Sequence, residues 1–430
     1  MSFVGIDFGT SNTIAATASD VENPRLVALE DGKETLPSAL FFVSPEDQEE
    51  GVPAILYGRR AIAAYLEDGY EGRFMRSPKK VLGTPTFKQG TGGIGKRANF
   101  QSIISGFLKH VKDVSEGDAG ACLDNVVLGR PVNFTHDPKM NVVAEGELRA
   151  CAKDAGFKDI SFQFEPIAAA FAHERHVTGR KRALVADLGG GTSDFTVIEL
   201  SRDYMALSDR TQHVLGNSGV RIGGTDFDGR LSMRSFMGVL GKGEMYLPPM
   251  RDSAMDMPLY LYTRISDWAR AFEAYSAESV KLAQDALRYM VTDAGCVKIE
   301  RLLDVLQNRR AHQILHSVEM AKITLTHSDV AHCPLNFLLG QPSIDVAKAE
   351  FEDAVAVDVQ NISKSLDECL VQAQVQHDDI DLVILTGGST ELPIVQSAIQ
   401  ARFPHAVLSQ GNRLDSVGLG LAIEASRRYE

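Results

Sequence analysis

Two short stretches far apart in the chain constrain its fold more than any other feature. DLGGGTSD, Asp187 to Asp194, follows the apolar run Ala183-Leu184-Val185-Ala186, and VGIDFGTSNT, Val4 to Thr13, repeats the plan. Each is an apolar strand, an aspartate, glycine, then small hydroxylated residues. Glycine permits positive φ and close backbone approach, so successive N–H groups can converge, while Thr and Ser add hydroxyl donors. Such a concavity suits a phosphate. An aspartate at the strand end would repel phosphate unless a divalent cation, reached directly or through water, lies between them. Asp7, Asp187 and Asp194 therefore point to magnesium. One such turn alone reads better as a simple hairpin, since Gly, Asp and Ser dominate turns. The second copy, and a third glycine turn at TGGST (Thr386 to Thr390), weaken that simpler reading.

Around these turns the pattern alternates strands with helices, which implies an α/β architecture. Phe3–Ile6, Thr13–Ala18 and Arg25–Leu29 read as an antiparallel meander, with Asn23-Pro24 and Asp31-Gly32 as turns. Residues 37–115 suit an inserted subdomain, with the Gly/Thr/Lys-rich segment 83–96 in its middle and a helix expected over Phe100–Val114. A strand at Val126–Val132, a helix at Lys139–Ala155 and an apolar helix at Pro166–His173 follow. A second strand-turn-strand begins at Leu184, and a helix-rich region fills 226–330. The strand Leu382–Thr386, a helix Leu392–Arg402 and a last helix Ser416–Arg427 complete the chain. The repeated strand-Asp-Gly turns predict two related lobes, each built on a central sheet. The expected domains are lobe I over 1–177, lobe II over 178–410 with an enlarged helical subdomain at 226–375, and a helix in 411–430 returning to lobe I.

Composition limits the function classes. With 430 residues, 44% apolar, two or three domains with substantial cores are expected. A net charge of −13 argues against a broad surface for nucleic acid or anionic lipid. The start MSFVGIDFG has no basic segment followed by a long apolar one, and no apolar run approaches about 18 residues. A cytoplasmic protein with no membrane partner is the expectation. Five scattered cysteines without a CxxC pair read as reduced, mostly buried thiols.

Three other motifs carry less. TGGST resembles the start of a nucleophile elbow, but Glu391 stands where the closing glycine belongs. GTGGIGKR, Gly90 to Arg97, fits G-x-x-x-x-G-K but puts Arg97 where a magnesium-binding Ser or Thr is needed, and no β-branched strand precedes it, so a basic loop is the better reading. HERH, His173 to His176, lacks the HExxH spacing of a zinc helix.

Taken in order, GIDFGTSN, SPKKVLG (Ser77–Gly83), FEPIAAAFAHE (Phe164–Glu174), DLGGGTSDFTV (Asp187–Val197), IGGTDFD (Ile222–Asp228), EMAKITL (Glu319–Leu325) and LTGGSTELP (Leu385–Pro393) resemble the ATPase domain of DnaK-type heat-shock chaperones. The resemblance spans nearly the whole chain. It implies the two-lobed actin-like ATPase fold, a duplicated ribonuclease-H-like arrangement, with ATP or ADP and Mg2+ between the lobes. By motif, Gly9, Thr10, Ser11 and Asn12 would form the first phosphate loop and Gly189, Gly190, Gly191 and Thr192 the second. Gly223, Gly224, Gly387, Gly388, Ser389, Glu319, Lys322 and Asp415 would complete the nucleotide site. Lys79 matches a lysine near the γ-phosphate, where an ammonium places the attacking water and offsets developing charge. Glu165 matches a glutamate of the magnesium-water network, and Pro131 a proline that switches with nucleotide state. The implied catalytic set is Lys79, Glu165, Asp187, Thr192 and Asp194.

Two departures qualify the resemblance. Ile323 and Glu391 stand where the family has arginines that sandwich adenine, so weak discrimination between nucleotide bases is expected. The chain ends about 15 residues after Asp415, so neither the apolar linker nor the peptide-binding β-sandwich is expected, and the chain resembles the stand-alone chaperone-like group called YegD. The stretch between IGGTDFD and EMAKITL is longer than expected, carrying Gly241–Asp256 and the spacing Trp268, Ala271, Phe272, Tyr275, Val280, Leu282, Leu287. That spacing reads as amphipathic helices packed into an enlarged core rather than as a partner surface. The expected function is a slow magnesium-dependent ATPase of chaperone type acting with an unidentified protein partner. A small-molecule kinase of the same fold, or a non-catalytic scaffold or filament, are the alternatives.

Overall fold

A computed structural model describes residues 3–46, 53–66, 72–88, 90–91, 98–135, 137–205, 207, 209–249, 251–409 and 415–429. The chain divides into two compact units, Met1–Gly224 with Val359–Glu430, and Thr225–Asp358. The first unit contains two sheets of the same design. In the first, β1 (Phe3–Phe8), β2 (Asn12–Ala18) and β3 (Pro24–Leu26) form an antiparallel meander. After α1 (Phe100–Ala119) come β4 (Asn125–Arg130), α2 (Pro138–Asp154), β5 (Asp159–Phe164) and α3 (Glu165–Glu174). β4 pairs parallel to β1 and β5 parallel to β4, giving the order β5-β4-β1-β2-β3.

The second sheet repeats this five-strand order, while the first carries in addition the short strand Thr35–Pro37 paired to β2. β6 (Lys181–Leu188), β7 (Ser193–Leu200) and β8 (Val214–Val220) form a second meander. The long helix α4 (Lys348–Ala373), which crosses from one unit into the other, leads into β9 (Leu382–Thr386), α5 (Pro393–Gln400), β10 (Val407–Ser409) and α6 (Asp415–Tyr429). The order is β10-β9-β6-β7-β8, with β9 and β10 parallel to β6. In both sheets the parallel strands end on one side, where the glycine turns follow β1 and β6. Crevices at the carboxyl ends of parallel strands are where α/β sheets bind ligands.

Local chemistry fixes the elements. Asn99 caps α1 by accepting from Ser102 N at 2.7 Å, and Gly120, at φ +63°, ends it five residues beyond the expected Val114. Its buried residues Phe100, Ile103, Ile104, Phe107, Leu108 and Val111 follow helical spacing. The strand expected to reach Val132 stops at Arg130, because Pro131 has no N–H for the ladder. β3 ends at Leu26, since the chain turns back at Glu30 and Lys33. Several strands escaped the sequence reading, β8 and β5 among them. β8, VLGNSGV, holds two glycines, and one of them, Gly216, is tolerated because a β-carbon there would fall 2.7 Å from Ala373 N. β5 runs directly into α3.

The second unit contains the helices Leu259–Ile265, Ala277–Arg288, Asp293–Gln307 and Ala311–Leu325 and the hairpin Val330–Pro334 with Ser343–Ala347. Trp268 is buried there: its indole N–H donates to Asp228 Oδ2 at 2.9 Å, and His312 Nε2 lies 3.1 Å from its carbonyl oxygen. The stretch holding Trp268 is thus core. The expected helix over 268–275 is instead a short 3-10 segment, Ala271–Tyr275, because Ser276 caps a new helix by accepting from Ser279 N.

The cysteine expectation holds for Cys151, Cys333 and Cys369, which are buried free thiols, whereas Cys122 is exposed. Most of the GTGGIGKR segment, residues 92–97, lies outside the described residues. In HERH, Glu174 is committed to a buried ion pair with Arg210 at 2.5 Å, and His173 sits between the hydroxyls of Ser416 (3.2 Å) and Ser409 (3.3 Å). Among the described residues no helix is long and apolar enough to cross a membrane.

Candidate functional site

The site grows from strand ends. Asp187 and Asp194 are register partners across β6 and β7, and on their flanks stand Thr386 of β9 and Gly219 of β8. Two carboxylates directly opposite destabilise a sheet, so their presence here needs a reason beyond the fold. Gly219 makes room, since a β-carbon there would fall 2.3 Å from Asp194 Oδ1. In the first sheet Asp7 ends β1, and Gly129 in β4 leaves space beside it, 3.5 Å from Asp7 Oδ1 and 3.2 Å from Glu165 Cγ to a β-carbon at that position. Glu165 opens α3 directly after β5.

The two glycine turns touch. A β-carbon at Gly190 would lie 2.1 Å from Ser11 Oγ, and one at Gly191 would lie 2.6 Å from Thr10 Oγ1. None of Gly9, Gly189, Gly190 or Gly191 takes positive φ; Gly9, Gly190 and Gly191 are needed for space and not for a left-handed conformation, while a β-carbon at Gly189 would meet only Thr192 O at 3.8 Å. That corrects half of the sequence argument. Gly387 does take φ +80°, and its missing β-carbon spares Leu188 O and Asp187 Oδ1. The second turn is boxed in: Gly189 N donates to Thr192 O, Gly224 N to Gly189 O, and Ser389 Oγ to Gly189 O at 2.9 Å. A β-carbon at Gly223 would strike Gly191 N at 2.5 Å.

Sequence reasoning missed three residues that hold this arrangement. Ser38 donates through Oγ to Gly9 O at 2.7 Å and through N to Ser11 O, fixing the first turn. Asn133 Nδ2 donates to Gly219 O, while the neighbouring Val132 N donates to Asp194 Oδ1 at 2.8 Å. Arg221 Nη2 donates to Lys80 O at 2.7 Å. No motif marks them, because each acts through a partner distant in sequence.

Lys79 sits in a single turn, Pro78–Val81, entered through Ser77 at φ +58°. Its ammonium is buried and donates to Glu165 Oε1 at 2.7 Å. One ammonium thus faces four carboxyl groups, those of Asp7, Glu165, Asp187 and Asp194. Burial, then Glu165, pushes Asp7 up to about 7 against the pull of Lys79. Burial and Glu165 raise Asp194 to about 7, opposed by hydrogen bonds from Thr192 and from Val132 N–H. Asp187 is held well above its ordinary range by burial, then by Glu165, Asp7 and Asp194. Burial alone would lower the Lys79 value, but Glu165 and Asp7 outweigh it and hold it above normal.

These groups fit a divalent cation, reached directly or through water. Asp7 Oδ1 and Asp194 Oδ2 are buried and meet no hydrogen-bond donor among the described residues. Acceptors in that condition are costly unless a cation or its ordered water supplies the missing partner. Among the described residues no three acidic, His or Cys groups form a cage that could hold a metal ion by themselves.

The remaining expected residues are distributed over both units. Glu319 and Lys322 are on the Ala311–Leu325 helix of the second unit, where Lys322 Nζ pairs with the buried Asp228 at 2.6 Å. Ile323 on that helix is 49% exposed, and Glu391 is exposed after β9. Gly388 is exposed with open space around it, and Asp415 begins α6, its carboxyl raised by burial and by Glu34.

The Hsp70 protein family model matches residues 79–238 and 285–427, well over half of the chain. The chain belongs to the Hsp70 family. Its fold is the two-lobed actin-like ATPase fold, the repeated sheets of the first unit being its duplicated core. The unmatched residues 239–284 of this Hsp70 member fall in the stretch that the motif spacing marked as long. Over 98% of its length it is 24% identical to the chaperone protein DnaK of Deinococcus deserti and 25% identical to that of Thermosipho melanesiensis. Over the same share it is 23% identical to a mitochondrial heat shock 70 kDa protein of Pisum sativum. The chain spans 59% of the length of the two DnaK proteins and 54% of the pea protein.

Proposed function

We propose that this chain binds a magnesium nucleotide, ATP or ADP, and hydrolyses ATP slowly, acting in a chaperone-type role with a protein partner. The observation that carries the reading is the buried set of four carboxyl groups around one ammonium, beside two touching glycine turns. Magnesium, when bound, neutralises phosphate charge and orders water. The remaining chemistry belongs to the chain. Backbone N–H groups and hydroxyls of Gly9–Asn12 and Gly189–Thr192 bind phosphate oxygens, and Ser389 steadies the second turn. Gly223, Gly224 and Gly387 keep that turn accessible by lacking side chains. Asp7, Asp187 and Asp194 accept from the cation's water shell. Lys79, held by Glu165, places the attacking water and offsets charge on the γ-phosphate. Because Ile323 and Glu391 replace the family's arginines, the base adds little, and GTP competes with ATP.

The test is thermal unfolding with ATP or ADP, with and without magnesium, followed by phosphate release. Ligand at a hundredfold excess over Kd adds about 2.7 kcal/mol to stability. An unchanged Tm at millimolar magnesium-ATP removes the proposal. Lys79→Ala is expected to retain nucleotide binding and to lose about tenfold or more in turnover, equivalent to about 1.4 kcal/mol of transition-state stabilisation. If Lys80→Ala is crippled and Lys79→Ala is normal, the catalytic role belongs to the neighbouring residue.

A further inference from the structure

The lysine turn is a weak element on its own. Pro78–Val81 is four residues long, and it is entered through a non-glycine residue in the left-handed region, Ser77 at φ +58°. A non-glycine residue persists there only when its surroundings hold it. Lys79 must nonetheless present its ammonium at a fixed place, because a shift of about 1 Å at a reacting group can cost on the order of a hundredfold in rate.

Arg221 supplies an anchor from the opposite sheet. It follows the last residue of β8, and its Nη2 donates to the carbonyl oxygen of Lys80, the residue after Lys79, at 2.7 Å. The segment that carries Arg221 is itself tied to the second glycine turn by three contacts. Ser193 Oγ donates to Ile222 O at 2.7 Å, Gly224 N donates to Gly189 O at 3.0 Å, and Gly223 lies against the backbone of Gly189–Gly191. Residues 221–224 therefore join the turn assigned to the phosphates with the loop that bears the lysine. A guanidinium suits this task, since its planar fork is pre-organised and its charge strengthens the bond to a carbonyl.

We propose that Arg221 is a positioning residue for ATP hydrolysis, fixing the Lys79 turn against the glycine turn through the Lys80 carbonyl. The inference rests on the proposed function of the site. Arg221 acts through Lys79, so its loss slows turnover without loosening nucleotide.

The experiment measures phosphate release and magnesium-ADP affinity in the full chain for Arg221→Met, Arg221→Lys, Lys79→Ala and the double variant Arg221→Met with Lys79→Ala. Arg221→Met is expected to lower kcat about tenfold with Kd for magnesium-ADP within about twofold, and Arg221→Lys, which keeps a charged donor, to recover most of the rate. The double variant is expected to be no slower than Lys79→Ala alone, since two residues acting as one unit are not additive. A general loss of structure would instead lower Tm and multiply the two defects. Wild-type kcat in Arg221→Met, a multiplicative double variant, or a loss of ADP affinity equal to the loss in rate would each overturn the inference alone. If the unaltered chain neither binds nor hydrolyses magnesium-ATP, the reading of the site falls, and this inference with it.

Discussion

Asp187 and Asp194 face each other across β6 and β7, where a sheet would be better served by almost any other pair. Removing one charge is therefore expected to stabilise the protein without divalent cation. Asp187→Asn is expected to gain about 1 kcal/mol in urea unfolding with EDTA present and to lose the stabilisation by magnesium-ATP. A variant less stable than the parent in EDTA would contradict this. The pH dependence has the same origin. Asp7 and Asp194 are pushed up to about 7 in the fold, from an ordinary value near 3.8, so between those limits the native state holds more protons than the unfolded chain. Stability without cation is then present at low pH and falls as pH rises from about 4 through 7. Cation affinity, which needs the ionised carboxylates, is expected to rise over the same window. Urea unfolding at pH 5.5 and 8, with EDTA and with magnesium, checks both signs. The aspartates were legible in the sequence because charge beside glycine at a strand end has few explanations. Ser38, Asn133 and Arg221 were not, because a hydrogen bond from the far side of a fold leaves no local pattern.

At the scale of elements, the close approach of α6 to α3 is the most demanding contact. A β-carbon at Gly420 would come within 1.7 Å of Ala168 O, and one at Gly5 within 2.3 Å of Ala422 N. Both obstacles are backbone, which cannot rotate away. Gly420→Ala is expected to cost about 1–3 kcal/mol in urea unfolding, the usual range for overpacking, whereas Gly146→Ala, in mid-helix where nothing lies within 4 Å, is expected to gain about 0.5–1 kcal/mol. A Gly420→Ala variant as stable as the parent would show that the helices can separate freely. Most helices could be read from the sequence because apolar spacing and caps agree, as in α1 with Asn99 and Gly120. The pairing of β8 could not. Gly216 and Gly219 lower its strand propensity, yet both are required by neighbours, Ala373 for one and Asp194 for the other. The break at Tyr275 was hidden for a related reason, since the apolar spacing continues through a residue that caps a new helix.

Across the whole first unit, two sheets of identical strand order meet through the turns that follow β1 and β6. The duplication was foreseeable from the repeated strand-Asp-Gly plan, whereas the composition of the second unit around Trp268 and Asp228 was visible only as spacing. The contact of Gly190 with Ser11, and of Gly191 with Thr10, acts as a mechanical end stop. The halves cannot move closer, so any relative motion from this arrangement must part them. If the proposed nucleotide binds here, it would change how often the turns separate but not how far they close. Gly190→Ala is expected to wedge the stop open, raising hydrogen exchange at the amides of both turns and weakening the stabilisation by magnesium-ATP. Unchanged exchange would show that Ser11 swings aside. Such a stop works in one direction only, so under the proposed function a nucleotide would act on how frequently the turns part.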